Sequence, residues 1–237
     1  ISSQLFSLNI SYKPKRISFL NKISFGCDYI SGDDSTTAKL EGFSKYFGAR
    51  HKFHVFYDYS DHKSFMDNKH EGLNELNKKG VKDVLVLPLY PHYAMSSYET
   101  VVEKVKEEKE TNFPSLNIDI IPPFYKDKQY IDILSAKIKE SIKNIEYDHL
   151  LFSYHGIPVS HLKISDPTNT HCYKVNDCCN VDSQAHSTCY KHQCLETTKK
   201  VIEKLNIGED KHSNSFQSRL PNEPWLKPYT LLLYTSP

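Results

Sequence analysis

The chain has 237 residues, 25% of them charged, and a formal net charge of +1. That balance gives no bulk attraction to nucleic acid or acidic lipid. No stretch approaches the roughly 20 consecutive apolar residues of a membrane-spanning helix; peripheral membrane contact stays open.

Basic charge is almost all lysine, the arginines being Arg16, Arg50 and Arg219. The first residue is Ile, and no basic–apolar–small signal pattern follows it. The expectation is a cytoplasmic protein whose start here is internal, so that the chain is a fragment.

In chain order, the first 60 residues offer two elements: "TTAKLEGFSKYFG" reads as a helix and "KFHVFY" as a strand. From residue 70 the alternation is clear. "HEGLNELNKKGVK" puts Leu73 and Leu76 on one helical face, with Gly80 as the stop. "DVLVLPLY" is a short apolar run, as in a buried parallel strand. After the loop "PHYAMSS", "YETVVEKVKEEKE" turns Val101, Val102 and Val105 inward, with Ser96 or Ser97 as a candidate cap. "LNIDIIPPF" is a second strand ended by prolines. "DKQYIDILSAKIKESIKN" spaces Ile131, Leu134, Ile138 and Ile142 as a helix, and "YDHLLFSY" is a third strand that ends at His155.

Helix and strand thus alternate, which predicts an α/β fold with a mostly parallel sheet. In such sheets ligands bind outside the carboxyl ends of strands. Both "PHYAMSS" and "HGIP" follow such ends. No glycine-rich phosphate loop is present, so a nucleotide-binding fold is not supported. Residues 159–193 have little periodicity, and so long a loop needs something to organise it. "CLETTKKVIEKLNIG" returns to helix with Gly208 as a stop, and "NSFQSRL" begins a strand.

Three groups of residues carry candidate chemistry. Read alone, His155 is more simply a hydrogen-bonded structural histidine; the other reading is a general base or a metal ligand at a strand end. Tyr90, Tyr93, Ser96, Ser97 and Thr100 put hydroxyls and flat rings in one loop, suited to a large aromatic ligand or merely to a helix start. Cys27 stands alone, whereas Cys172, Cys178, Cys179, Cys189 and Cys194 are clustered. Five thiols exceed the four of a Cys₄ centre, and their spacing is not that of a zinc ribbon. Composition permits a [2Fe–2S] cluster. His171, His186 and His192 keep a mixed Cys/His zinc site open. Five free thiols is the third reading, though such crowding invites oxidation. Trp225, near Arg219 and Lys227, reads locally as a packing residue.

Taken together these segments resemble the ferrochelatase family from Glu71 to Thr230. "LPLYPHYAMSSYETV" is similar to the family's "LPLYPQY" loop, and "DHLLFSYHGIP" to its "FSxHGxP" signature. "DPTNTHC", "AHSTCYKHQC" and "SFQSRL…PWLKPYT" follow in family order, with wording nearest to Bacteroidetes-type bacterial sequences.

The resemblance implies two Rossmann-like chelatase domains, residues 1–145 and 146–237. The second would be incomplete and carry a Cys-rich insertion over residues 171–194. It implies insertion of ferrous iron into protoporphyrin IX to form haem. His155 would be the active-site histidine that takes pyrrole protons or binds the substrate iron. Tyr90, Tyr93, Ser96, Ser97 and Trp225 would line the porphyrin cleft. Four of the five clustered cysteines would hold a [2Fe–2S] cluster, with Cys172, Cys179, Cys189 and Cys194 preferred and Cys178 as the substitute. The alternatives are a non-catalytic iron–sulfur or zinc-binding, redox-sensing module, and a relative that loads cobalt or nickel into a tetrapyrrole.

The sequence also departs from the family pattern. The opening "LLVNLGTP", "GSPL" and "MRYGNPS" segments are not recognisable, "SRLG" reads "SRLP" at Pro221, and the glutamate of the "DCLETLEE" motif is not reached. These departures lead to the expectation of a truncated or eroded copy, inactive or nearly so on its own.

Overall fold

The computed structural model describes residues 10–12, 23–25 and 72–230. The helix and strand expected before residue 60, Cys27, and the final "LLLYTSP" lie outside the described residues. The chain divides into two compact units, one of Ile1–Leu89 with Val102–Ile121 and the other of Tyr90–Val101 with Pro122–Pro237.

In the first unit, β1 (Ile10–Tyr12) pairs antiparallel with β2 (Ile23–Phe25). Residues 72–78 form α1, which buries Leu73 and Leu76. It ends at Gly80, whose φ of 73° is the left-handed conformation that glycine adopts without steric cost. β3 (Asp83–Val86) and β4 (Asn117–Ile120) pair in parallel, and α2 (Thr100–Asn112) lies between them in sequence. Leu73, Phe113 and Leu116 form the local core, with Val84 and Ile118 against it.

β3 is shorter than the apolar run "DVLVLPLY", because Pro88 has no N–H for a ladder. Nor is it buried on both faces. Its exposure alternates, and Leu85 is 65% exposed, because the described elements cover only the side that carries Val84 and Ile118.

In the second unit, β5 (Leu150–His155) pairs in parallel with β6 (His212–Gln217), in register from Leu150↔His212 to His155↔Gln217. The strand expected from "NSFQSRL" therefore forms, shifted towards His212. α3 (Lys128–Ile142) is capped by Asp127, whose carboxylate accepts the amides of Gln129 (2.9 Å) and Tyr130 (3.0 Å). α4 (Val159–Ile164) follows β5 directly. α5 (Tyr190–Leu205) begins four residues before the expected "CLETT", with Cys189 at its N-cap. It ends at Asn206, in the left-handed region, rather than at Gly208.

The core joins Ile157, Leu162, Phe216 and Leu226 to Cys172, Cys179, Ala185, Cys189, Tyr190 and Cys194. The cysteine segment is thus an integral part of the packing of this unit. Among the described residues no helix is long and apolar enough to cross a membrane.

At Gly156 two backbone segments come close together. The Gly156 amide donates to the Gln217 carbonyl at 2.6 Å. A Cβ there would stand 2.7 Å from the oxygen of Gln217 and 2.8 Å from that of Ser218. Both are backbone atoms of β6 and its exit, so they cannot swing aside. Gly156→Ala is expected to lower stability by about 1–3 kcal/mol, the usual cost of overpacking. Urea unfolding measures it, and a change within the scatter of surface substitutions would show that the two chains are not held together here.

Candidate functional site

β5 delivers His155 to its carboxyl end, where the side chain is exposed. The peptide that joins His155 to Gly156 is held on both edges. Its N–H donates to Gln217, and its carbonyl accepts the Tyr190 hydroxyl at 3.0 Å. Next to it, Pro158 bridges Trp225, Leu226 N donates to Ile157 O (3.0 Å) and Val159 N to Pro224 O (2.9 Å). The Trp225 ring comes to 3.5 Å from where a Cβ on Gly156 would be. Its indole Nε1 is enclosed with no hydrogen-bond partner among the described residues. The structure therefore brings Trp225 and His155 together, which local sequence did not indicate.

The hydroxyl-rich loop belongs to the same unit. His92 donates from Nε2 to Thr197 Oγ1 (2.9 Å), and that hydroxyl in turn donates to the Tyr125 carbonyl (2.9 Å). The His92 ring stacks on Tyr125 and meets Tyr154 and Tyr190 edge-on, with centroids 5.6 and 5.8 Å away. Burial lowers its pKa to about 4. Tyr93 N donates to Gln193 Oε1 (2.7 Å), and Ala94 is buried in the core.

Past Ala94, Met95–Glu99 forms a π-helical turn. Neither Ser96 nor Ser97 caps the helix that follows. Ala94 occupies the N-cap position without a side-chain bond, and Thr100 Oγ1 donates instead to the Met95 carbonyl (2.6 Å). Ser96 is exposed, whereas Tyr90, Tyr93, Ser97 and Trp225 are half-buried.

The cysteine segment is organised by one carboxylate and three imidazoles. Asp166 is buried. Its Oδ1 accepts from the amide and hydroxyl of Thr168 (2.9 and 2.7 Å), and its Oδ2 from the amides of His171 and Cys172 (both 2.9 Å). Burial alone would raise the pKa of this carboxyl. The donors outweigh it and hold the group well below the usual carboxylate range.

His171 Nε2 (2.7 Å) and His186 Nε2 (3.0 Å) both donate to the Cys178 carbonyl, and His192 Nδ1 donates to that of Cys179 (2.8 Å). His186 and His192 stack face to face, 3.6 Å between centroids. The three rings thus clamp the Cys178–Cys179 backbone. Gln193 closes the arrangement, donating to the carbonyls of His186 (3.1 Å) and Ser187 (2.9 Å) while it holds Tyr93.

All five clustered cysteines are free thiols. Burial first, then the charges of Asp166 and the other thiols, push Cys172 up to about 11. The Cys189 thiol, then burial, raise Cys179 further.

Cys172, Cys179 and Cys189 are buried in one core, and Cys178 packs against it. Among the described residues no His, Cys, Asp or Glu side chains are grouped as for a single metal ion. Cys194 stands apart on α5, where it is fully buried.

The residues that tie these parts together were not singled out from sequence: His92, Asp166, Tyr190, Gln193 and Thr197. The signal for three of them was available. Tyr190, Gln193, Cys194, Thr197, Thr198 and Val201 recur at helical spacing, and all are buried on one face of α5. The polar members of that stripe are the ones that bind the other segments.

The sequence model of the ferrochelatase family matches residues 34–235. A ferrochelatase of Opitutus terrae is 48% identical over 158 residues, 67% of this chain and 46% of that protein. Ferrochelatases of Pseudomonas entomophila and Pseudomonas fluorescens are 40% and 39% identical over 159 residues, again 67% of this chain and 47% and 46% of theirs. The chain spans about half the length of these curated relatives.

Proposed function

Since this chain belongs to the ferrochelatase family, we propose that it carries the proton-accepting side of a site that inserts ferrous iron into a porphyrin. His155 takes the pyrrole protons. Metallation releases two protons from the macrocycle, and a base at a fixed position removes them as the metal enters. Tyr90, Tyr93, Ser96, Ser97 and Trp225 contact the macrocycle, with iron and porphyrin as substrates. The observation that carries this reading is His155 itself: exposed, at the carboxyl end of a parallel strand, on a peptide held from both sides beside the half-buried Trp225.

His155→Ala is expected to leave stability and porphyrin binding nearly unchanged, because the imidazole is exposed. It is expected to slow metal insertion by about 10²–10⁴-fold, the usual contribution of a positioned base. Anaerobic assay of porphyrin consumption measures the rate, and fluorescence quenching the binding. A loss of only a few-fold would remove His155 from this role.

Cys172, Cys178, Cys179 and Cys189 are the set we assign to a [2Fe–2S] cluster. When bound, the cluster would act as a redox-sensitive cross-link across this segment. A second reading, a cluster-bearing or zinc-bearing module without chelatase activity, draws on the same ordered thiols. It would be favoured by metal binding without porphyrin binding.

A further inference from the structure

Tyr190 lies outside the proposed substrate-contacting residues, yet it joins three of the segments described above. It directly follows Cys189 and is the first residue of α5. Its ring is buried and lies edge-on to His92. Cys194, one helical turn along, is buried in the same core. The Tyr190 hydroxyl donates to the His155 carbonyl at 3.0 Å.

That carbonyl shares one rigid peptide plane with the amide of Gly156, which donates to Gln217. Fixing both edges of the plane fixes the backbone dihedrals on either side of it. The Cα–Cβ direction of His155 follows. An exposed side chain with that much control over its backbone is pre-aimed rather than packed.

We propose that Tyr190 is a positioning residue for His155, its hydroxyl setting the direction of the imidazole through the His155–Gly156 peptide. The proposal rests on the reading of His155 as the base only for its consequence in catalysis; the positioning itself can be observed without turnover.

The test is Tyr190→Phe, which keeps the ring and deletes the hydroxyl, in the whole chain with ¹³C-labelled histidine. His155→Ala assigns the His155 ring signal. In Tyr190→Phe that signal is expected to shift and broaden, and the Gly156 amide to exchange with solvent at least tenfold faster, while porphyrin affinity stays within twofold. Tyr190→Met, which also lacks the hydroxyl, serves as the readout if the phenylalanine variant does not fold.

Thr198→Val is the control. It deletes the partner of Tyr154 Oη (2.8 Å) on the same helix without touching His155. An unmoved His155 signal in Tyr190→Phe, or an equal movement in Thr198→Val, overturns the proposal. If the signal moves as expected but His155→Ala leaves metal insertion unchanged, positioning stands and the role of His155 as base falls.

Discussion

Serine at Cys172, Cys178, Cys179 or Cys189 is expected to abolish iron–sulfur binding, while Cys194→Ala retains it. Reconstitution under anaerobic conditions, followed by visible absorption and by assay of iron and acid-labile sulfide, gives the result directly. The reasoning is geometric. Cys172, Cys179 and Cys189 are buried in one core, with Cys178 packed against it. Their backbone is held before any ligand arrives, by the Asp166 carboxylate at Cys172 and by three imidazoles at the Cys178 and Cys179 carbonyls. A thiolate set loses most of its affinity for a cluster when one soft sulfur becomes a hydroxyl.

Cys194 is in a different position. It has no exposed surface and lies within α5. Burial, the main cause, raises its pKa strongly. The proposed set differs from the one that the sequence suggested, in which Cys194 was preferred over Cys178. A variant series in which Cys194→Ala loses the cluster and Cys178→Ser keeps it would restore the earlier order.

The alternation of elements was legible because it depends on local periodicity. Val84 and Ile118 mark strands, Val105 and Ile131 mark helices, and the two parallel pairs follow. His155 was legible as a strand-end histidine for the same reason. What holds it was not, because Tyr190 is 35 residues away and acts through one hydroxyl. The cysteine segment carried a compositional signal but no periodicity. Its order comes from side-chain-to-backbone bonds, in which Asp166 and three histidines replace a helix or ladder. No sequence pattern announces such bonds. The serine caps failed for a related reason: Ala94 is fixed by burial in the core, so the chain enters the π turn with no cap.

His92 sets the second large effect, on stability against pH. Its imidazole donates from Nε2 to Thr197 and is otherwise surrounded by the rings of Tyr125, Tyr154 and Tyr190, so the charged form is penalised by burial. The pKa falls from 6.5 to about 4 on folding. Above pH 6.5 both states are neutral at this group and it contributes no pH dependence. Between about 6.5 and 4 the unfolded chain takes a proton that the folded chain refuses, and stability falls with pH. The full loss below pH 4 is roughly 3 kcal/mol, from a shift of about 2.5 units at 1.36 kcal/mol each.

That is a large share of the stability of a typical domain. His192, lowered mainly by burial, adds to the same acid trend, and the low carboxyl of Asp166 extends it below the ordinary aspartate range. His92→Gln isolates the His92 part, since glutamine can donate to Thr197 but does not titrate. At pH 7 the variant should be less stable than the native chain, because the ring contacts are lost. By pH 4.5 the difference should shrink by more than half as the native chain loses the His92 contribution and the variant does not. Urea midpoints for the two proteins at pH 7, 5.5 and 4.5 decide it. Parallel profiles would mean that water reaches His92 and that its ring is not the neutral brace between the Tyr90 loop and α5.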